Sequence, residues 1–236
     1  MNSLLRYSRQ IEVIGRNNQL KLLKSSVLVV GAGGLGSAVI AYLAGAGVGM
    51  LGIADGDVVE VHNLDRQIVH AGKVGMIKAE SAKIFVKNLN PDVKVVTHGY
   101  FNEKLNVEKY DVVVSCVDSI ETRHKINRVC FKSKKPLVHA AVSGFEGELM
   151  VFDFRNGFRE SSPCYRCVYP ENVEAQKNSV VSPVAGIVGS LQALETIKLI
   201  CNYTITRELL RMDFRHMEFI RIKVSKKKGC PICSLF

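Results

Sequence analysis

The sequence lacks an uninterrupted hydrophobic run long enough to cross a membrane. Its longest apolar stretch, residues 180–200, contains Gln192, Glu195 and Lys198, whereas a membrane-spanning helix needs about 20 predominantly apolar residues. The first residues, MNSLLRYSRQIEVIGR, are charged throughout and contain no apolar core of a signal peptide. We therefore expect a cytoplasmic protein that does not enter the membrane.

The sequence is also poor in features of a nucleic-acid-binding surface. Its formal net charge is +10, but the only dense basic run is Lys226, Lys227 and Lys228. No basic strand is interleaved with the aromatic residues that stack on bases. We interpret the lysine run as a solvated tail and expect no nucleic-acid partner. The scattered Arg and Lys residues instead suit a phosphate-rich ligand or an acidic partner.

No linker, internal repeat or low-complexity segment divides the 236 residues, so we expect a single domain spanning residues 1–236. Strand-like and helical segments alternate up to Gly144, which is typical of βαβ units and a parallel sheet. Strand-like segments after Gly144 have no helical crossovers and should add antiparallel strands. The predicted fold is α/β, with a Rossmann-like and mostly parallel sheet. One continuous helix is predicted at residues 8–23, and another at residues 184–201.

A glycine-rich turn follows the first predicted strand. Gly31, Gly33 and Gly36 form the pattern Gly-x-Gly-x-x-Gly between a strand and a helix, which favours binding of a nucleotide phosphate at the helix N-terminus. Asp55 ends the second strand, where it can bind ribose hydroxyls. By itself the pattern indicates only a nucleotide, with a dinucleotide dehydrogenase as the default interpretation. A glycine turn that serves only close packing is the structural alternative. The Walker pattern of P-loop enzymes is absent.

The polar loop after Asp55 indicates a different chemistry. It contains Arg66 and is followed by Lys78, and a dehydrogenase needs neither cation there. An enzyme that transfers part of ATP does need them, because charge builds on the phosphate oxygens as the bond breaks. Asp118 ends the predicted strand at residues 112–117, where its carboxylate could hold Mg²⁺ against the triphosphate.

Seven cysteines in an expected cytoplasmic protein favour metal binding or catalysis over disulfides. Four of them form two Cys-x-x-Cys pairs, which can supply four thiolates to a tetrahedral, closed structural Zn²⁺ site. Because 62 residues separate the pairs, the metal would hold the C-terminal segment on the domain. The predicted zinc ligands are Cys164, Cys167, Cys230 and Cys233.

Eight segments occur together: RYSRQ, GAGGLG, ADGDxVExxNLxRQ, VGxxKAESA, DxxxTR, CYRC, GSLQALETIK and GCPIC. In this set and order the chain resembles the ThiF/MoeB/HesA family of ubiquitin-activating-type enzymes. The resemblance implies catalytic roles for Arg9, Arg66, Lys78 and Asp118, the last also as a magnesium ligand. It implies nucleotide contacts for Gly31, Gly33, Gly34, Gly36, Asp55, Asp57, Asn63 and Gln67. It also implies ATP, Mg²⁺ and Zn²⁺ as cofactors.

Structural alternatives exist for these residues. Asn63 could cap the turn that follows it, Arg66 and Lys78 could be surface charges, and Asp118 could be the N-cap of the helix at residues 119–133. Arg9 resembles an arginine that reaches into the active site of a partner subunit, which implies a homodimer.

The resemblance implies that a substrate carboxylate attacks the α-phosphorus of ATP and yields an acyl-adenylate and pyrophosphate. The substrate would be the C-terminal glycine of a ubiquitin-like sulfur carrier or a small-molecule acid, as in maturation of the iron-guanylylpyridinol cofactor. Many relatives carry a reactive cysteine before the GSLQA helix. Here the segment 169–183 contains none and is short. We therefore expect the adenylate to pass to a downstream thiol or amine acceptor.

Two other functions would use part of this set of residues. An NAD-dependent oxidoreductase would use the glycine turn and Asp55 but would leave Arg66, Lys78 and Asp118 without a role. A non-catalytic scaffold subunit of the same fold would normally have lost these charged residues.

Overall fold

The structure is a computed structural model that describes residues 4–158, 161–171 and 179–234. Its strands are β1 (Ser26–Val30), β2 (Met50–Ala54), β3 (Lys94–His98), β4 (Val112–Ser115), β5 (Leu137–Ser143), β6 (Glu146–Phe152), β7 (Leu209–Asp213) and β8 (Glu218–Ile222). Within the described residues these eight strands form one sheet, in the order β3-β2-β1-β4-β5-β6-β7-β8.

The helices are α1 (Ser8–Ile14), α2 (Arg16–Lys24), α3 (Gly34–Ala46), α4 (Lys78–Leu89), α5 (Ile120–Lys132), α6 (Tyr165–Val168) and α7 (Ser182–Cys201). The prediction of one helix over residues 8–23 was wrong. The chain breaks at Gly15, whose φ of 80° is outside the helical range, so two short helices form.

The sheet has the mixed direction that the sequence predicts. Strands β1 to β5 pair in parallel, whereas β5–β6, β6–β7 and β7–β8 are antiparallel. Helices α3, α4 and α5 connect β1 to β2, β2 to β3 and β4 to β5, as βαβ units require. The later strands follow turns or α7, so no helical crossover constrains them to be parallel. The predicted Rossmann-like α/β class is confirmed.

Two hydrophobic layers cover the sheet. One layer packs α3, α4 and α7 against one face and includes the buried side chains of Val29 and Val114. The other packs α5, α6 and the four paired cysteines against the opposite face and includes Leu28 and Val113. Successive residues of β1 and β4 therefore point to opposite layers. This burial on both faces explains their continuous apolar sequences.

Helix α7 is long and apolar enough to span a membrane by length and composition alone. However, 56% of its most apolar 18-residue window is buried inside the fold. Its Gln192 and Thr196 side chains are also completely buried among other residues. This degree of burial is typical of a helix in the core of a folded domain.

The topology places a crevice at the carboxyl ends of β1 and β4. The chain runs outward from β1 to β2 and β3 on one side, and from β4 to β5 on the other. The loops after β1 and β4 therefore diverge, and open α/β sheets bind ligands at such a switch point.

Candidate active site

A pocket of about 1000 Å³ lies at the carboxyl ends of β1, β2 and β4. Its volume is at the upper end of the range for small-molecule sites. Ten of the residues singled out from the sequence line it: Gly31, Gly33, Gly34, Asp55, Asp57, Asn63, Arg66, Gln67, Lys78 and Asp118. The fold thus brings together residues up to 87 positions apart in the sequence, from Gly31 to Asp118.

Close packing explains two glycines of the turn. Gly31 has φ of 94°, and a Cβ atom there would lie 2.7 Å from the carbonyl oxygen of Cys116. A Cβ atom on Gly36 would overlap the carbonyl oxygen of Gly31. Gly36 is not part of the pocket wall. Its structural contribution is to let α3 start directly against the end of β1.

Gly33 differs because packing does not require it to be glycine. A Cβ atom there would meet only Nε2 of Gln67, at 3.7 Å. The absent side chain therefore leaves the N-terminus of α3 open toward the pocket. The backbone N–H groups of a helix N-terminus attract phosphate oxygens, so the turn fits a nucleotide phosphate.

Asp55 holds the glycine-rich turn in place. Its Oδ2 accepts a hydrogen bond from the Ala32 N–H at 2.7 Å, and its Oδ1 accepts one from the Asp57 N–H at 2.9 Å. The first bond joins the loops that leave the neighbouring strands β1 and β2, and the second lies within the loop after β2. Asp55 also lines the pocket, where its remaining lone pairs are available to hydroxyl groups.

Lys78 is fixed at the start of α4 by an ion pair. Its Nζ lies 2.9 Å from Oδ2 of Asp57, and the residue is only 8% exposed. The hydrogen bond from Lys78 lowers the pKa of Asp57 below its ordinary value, and a second one from the Tyr100 hydroxyl acts in the same direction. Lys78 is thus a buried cation of the pocket and not a surface charge.

Three residues of the polar loop line the same wall. Asn63 accepts a hydrogen bond from the Glu60 N–H at 3.0 Å, in a capping box around the turn Val61–Asn63. The capping alternative for Asn63 is therefore realised alongside its position in the pocket. Arg66 pairs with Asp65 at 2.7 Å. The Oε1 atom of Gln67 is buried without a hydrogen-bond partner among the described residues, so a polar ligand group would satisfy it.

Asp118 faces the pocket from the end of β4. It is not the N-cap of α5, because that position is held by Ser119, whose Oγ accepts a hydrogen bond from the Thr122 N–H at 3.2 Å. Within the described residues Asp118 makes no ion pair. Its carboxylate oxygens are therefore free, and oxygen ligands are those that Mg²⁺ prefers. The donor chemistry fits a magnesium ion shared with phosphates and water.

Arg9 lies apart from the other predicted residues. It is exposed on α1 and does not line the pocket of its own chain.

Sequence reasoning missed two residues that support the pocket. Arg123 is 8% exposed and lines the pocket, and its Nε donates to the Val117 carbonyl at 3.0 Å. It belongs to the DxxxTR segment, so the sequence contained a signal for it.

The second residue, His70, is completely buried, with Nε2 2.8 Å from the Ala32 carbonyl and Nδ1 2.8 Å from Ser81 Oγ.

The hydrogen bonds of the His70 ring indicate its tautomer. A carbonyl only accepts, so Nε2 carries the proton and donates to Ala32, while Nδ1 accepts from the Ser81 hydroxyl. Burial lowers the pKa of His70 below its ordinary value. The neutral imidazole therefore supports the glycine-rich turn from behind.

The four paired cysteines form one cluster. Sγ distances are 4.0 Å for Cys164–Cys167, 3.7 Å for Cys164–Cys230 and 3.4 Å for Cys167–Cys233, and all four residues are buried. A tetrahedral site with Zn–S bonds of about 2.3 Å places its sulfurs about 3.8 Å apart. The cluster could therefore hold zinc, and it joins α6 to the C-terminal segment.

The other three cysteines are not arranged as nucleophiles. Cys116, Cys130 and Cys201 are all buried, and burial raises the pKa of each thiol above its ordinary value. A raised pKa suppresses the reactive thiolate. Residues 172–178 of the cysteine-free segment 169–183 lie outside the described residues, so its predicted shortening stays a sequence observation.

The fold and pocket define a Rossmann-like α/β protein with a glycine-rich turn at the switch point of its sheet. A family model described as "ThiF family" matches residues 7–232. The chain therefore belongs to the ThiF family.

Relatives of this chain are longer proteins. It is 41% identical over 249 residues to "Adenylyltransferase and sulfurtransferase MOCS3" of Aedes aegypti, covering 99% of this chain and 56% of the relative. It is 38% identical over 247 residues to the protein of the same name in Xenopus laevis, covering 98% of this chain and 54% of the relative. The chain thus spans about half the length of the curated relatives it matches.

Solved structures share the fold at low sequence identity. E. coli MccB, in a crystal structure with ATP, superposes with a TM-score of 0.83 at 23% identity, covering 97% of this chain and 74% of that chain. Selenomethionine PaaA superposes with a TM-score of 0.79 at 19% identity, covering 95% and 74%. At these identities the likeness establishes the fold.

Proposed function

We propose that this chain uses ATP to adenylate a substrate carboxylate, releasing pyrophosphate. The observation that carries the proposal is the meeting of Lys78, Arg66 and Asp118 around one pocket at the glycine-rich turn. Two cations and one unpaired carboxylate suit a magnesium-bound triphosphate. A hydride-transfer site requires none of them.

Charge explains the arrangement. As the bond between the α- and β-phosphates breaks, negative charge accumulates on the departing pyrophosphate. Lys78 is held by Asp57 and Arg66 by Asp65, so both cations are positioned before the reaction begins. Asp118 would hold Mg²⁺, which supplies further positive charge to the phosphates when bound. Such preorganised charges stabilise a transition state without reorganisation during the reaction.

The reaction needs no general base from the protein. A carboxylate is already ionised at pH 7, and its oxygen forms a bond to the α-phosphorus while the bond to the bridging oxygen of the β-phosphate breaks. The electron pair of that bond leaves with pyrophosphate. The products are an acyl-adenylate and pyrophosphate, so the contribution of the protein is positioning and electrostatics.

We favour the C-terminal carboxylate of a ubiquitin-like sulfur carrier as the substrate. The relatives are named as adenylyltransferases and sulfurtransferases, which supports a protein that prepares an acyl group for sulfur chemistry. The edge strand β8 offers a surface for such a carrier. Its side chains are exposed along the whole strand, including Phe219 at 51% and Ile220 at 59%.

The distance from β8 to the pocket suits a carrier with an extended tail. Four strand spacings separate β8 from β4 in the sheet, which corresponds to about 19 Å. An extended chain rises about 3.3 Å per residue, so about six residues would connect a domain docked at β8 to the end of β4. A ubiquitin-like carrier with a flexible C-terminus meets this requirement.

We further propose that the chain works as a homodimer in which Arg9 acts in the pocket of the partner. Helix α1 buries none of its residues in its own chain, and Val13 on it is 83% exposed. Tyr42 on α3 and Leu194 on α7 are also exposed, at 60% and 51%. These apolar side chains support an interface on this side of the sheet.

We propose that the acyl-adenylate passes to a thiol or amine on another molecule. The buried positions and raised pKa values of Cys116, Cys130 and Cys201 support this assignment. A cysteine acceptor within the described part of this chain would need an accessible thiolate.

The test is exchange of labelled pyrophosphate into ATP by the purified chain. We expect exchange that depends on Mg²⁺ and on a ubiquitin-like protein ending in Gly-Gly, and none when that protein lacks its last residue. Exchange with small carboxylic acids alone would instead assign a small-molecule substrate. Binding of NAD with no binding of ATP would refute adenylation.

A further inference from the structure

Gln192 is a completely buried polar residue that the proposed chemistry does not use. It lies on α7 at 0% exposure and is not part of the pocket wall. Its Nε2 donates to the Ser115 carbonyl at 2.9 Å and lies 3.4 Å from the Val138 carbonyl. Its Oε1 accepts a hydrogen bond from the Cys116 thiol, with a distance of 3.5 Å.

These contacts lie where β4 and β5 stop pairing. The register between the two strands ends at Ser115 and His139, whereas β5 continues to Ser143. One side-chain amide therefore bonds to a carbonyl of each strand at the end of their ladder. A buried carbonyl without a partner costs about 1–3 kcal/mol, which explains a polar residue in an otherwise apolar layer.

The segment after β4 is also held by the neighbouring strand β1 and from the opposite face of the sheet by α5. The Cys116 N–H donates to the Val30 carbonyl at 2.8 Å, and Nε of Arg123 donates to the Val117 carbonyl at 3.0 Å. Each of the three residues before Asp118 thus has a backbone group fixed by a bond from outside β4. Gln192 acts from the α7 side and Arg123 from the α5 side.

We propose that Gln192 is a positioning residue for Asp118, fixing the end of β4 so that the carboxylate is placed for its metal ion. The inference rests on the proposed function, in which Asp118 holds Mg²⁺. Magnesium demands a near-octahedral arrangement of its ligands and tolerates little displacement. The Gln192 amide touches neither nucleotide nor substrate, so it acts through the strand alone.

The test replaces the amide by an apolar group of similar length, Gln192→Met. ATP binding is measured by calorimetry without metal and at increasing Mg²⁺, beside KM and kcat from pyrophosphate exchange. Because Gln192 acts only on the placement of Asp118, metal-free ATP affinity should stay within about twofold of wild type. The Mg²⁺ concentration that gives half of the maximal enhancement of ATP affinity should rise at least about tenfold. The decrease in kcat should be larger, as a factor, than any change in KM for ATP.

The matched control is Ser190→Ala on the same helix. It removes a hydroxyl whose one hydrogen bond to the described residues goes to the Gly186 carbonyl within α7. It should behave as wild type in every measurement. If Gln192→Met does not fold, Arg123→Lys loosens the same segment from the other face. It should shift the Mg²⁺ dependence in the same direction.

Asp118→Asn separates the inference from the proposed function. If Asp118→Asn abolishes the Mg²⁺ enhancement while Gln192→Met and Arg123→Lys respond as wild type, the positioning role is refuted and adenylation stands. If Asp118→Asn itself keeps the wild-type Mg²⁺ dependence, the metal role of Asp118 is refuted, and the positioning role with it.

Discussion

The ammonium group of Lys78 lies 2.9 Å from the Asp57 carboxylate, and the two residues approach the pocket from different segments. Asp57 follows β2, whereas Lys78 opens α4. The Lys78 backbone N–H also donates to the Asp57 carbonyl at 2.8 Å. A side-chain bond and a backbone bond therefore join the same pair, and the cation has a fixed position.

Replacing Lys78 should damage catalysis more than stability. Lys78→Met keeps the aliphatic part of the side chain but removes the charge proposed to stabilise the departing pyrophosphate. We expect pyrophosphate exchange to fall by about a hundredfold or more, measured with saturating ATP and carrier.

Lys83→Met is the control on the same helix. Lys83 pairs only weakly with Glu80 at 3.4 Å and is half-exposed, so exchange should stay near wild type. Equal losses in the two variants would show that charge at Lys78 has no specific role.

The ion pair also predicts how stability depends on pH. Because Lys78 lowers the folded-state pKa of Asp57, the contribution of this carboxylate is complete above its unfolded pKa of about 3.9. It is lost as the pH falls through the lower, folded-state value. Since the Asp57 side chain is 52% exposed, screening should limit the contribution to below about 1 kcal/mol.

Denaturant unfolding of wild type and Asp57→Asn, from about pH 6 to about pH 2, measures this contribution. The wild type should be more stable above pH 4, and the difference should vanish at the acid end. A difference that grows as the pH falls would contradict the assigned sign.

Subunit complementation tests the role of Arg9. Arg9→Ala and Asp118→Ala should each be inactive as homodimers. In a mixed dimer, the subunit with Arg9→Ala keeps Asp118 in its own pocket. That pocket receives an intact Arg9 from the subunit with Asp118→Ala. Random mixing should therefore restore about a quarter of wild-type sites, because half of the dimers are mixed and each has one complete pocket. An inactive mixture, shown by native mass spectrometry to contain mixed dimers, would refute the shared site.

Zinc should stabilise the C-terminal segment. Cys230→Ser removes one of the four clustered sulfurs, and we expect the bound zinc to fall from one per chain to substoichiometric amounts. The melting temperature should drop by about 10 °C or more, since each kcal/mol corresponds to about 2–4 °C in a chain of this size. Cys201→Ser, outside the cluster, should keep full zinc. Metal analysis and thermal unfolding measure both effects.

No covalent thioester should form on this chain during turnover. The intact mass of the protein, after incubation with ATP and carrier, should equal that of the unreacted chain. A hydroxylamine-sensitive adduct on Cys116, Cys130 or Cys201 would show that a buried thiol becomes accessible and reacts.

Much of the fold could be predicted from local sequence. Continuous apolar runs predict buried strands, and the change of pattern after Gly144 predicts the antiparallel part of the sheet. The break at Gly15 was missed because the apolar spacing continues through it. A single glycine reduces helix stability by only about 1 kcal/mol, so its effect depends on the surrounding packing.

The sequence by itself determined the chemical inventory of this protein: a glycine-rich turn, a polar loop with two cations, a carboxylate after β4 and two cysteine pairs. These features depend on residue type and spacing along the chain, which the sequence contains in full. Only the tertiary structure decided that Lys78 is a buried partner of Asp57 and that Gln192 holds the end of β4. Those relationships join residues up to 77 positions apart, and they depend on strand order and helix packing, which local propensities do not encode.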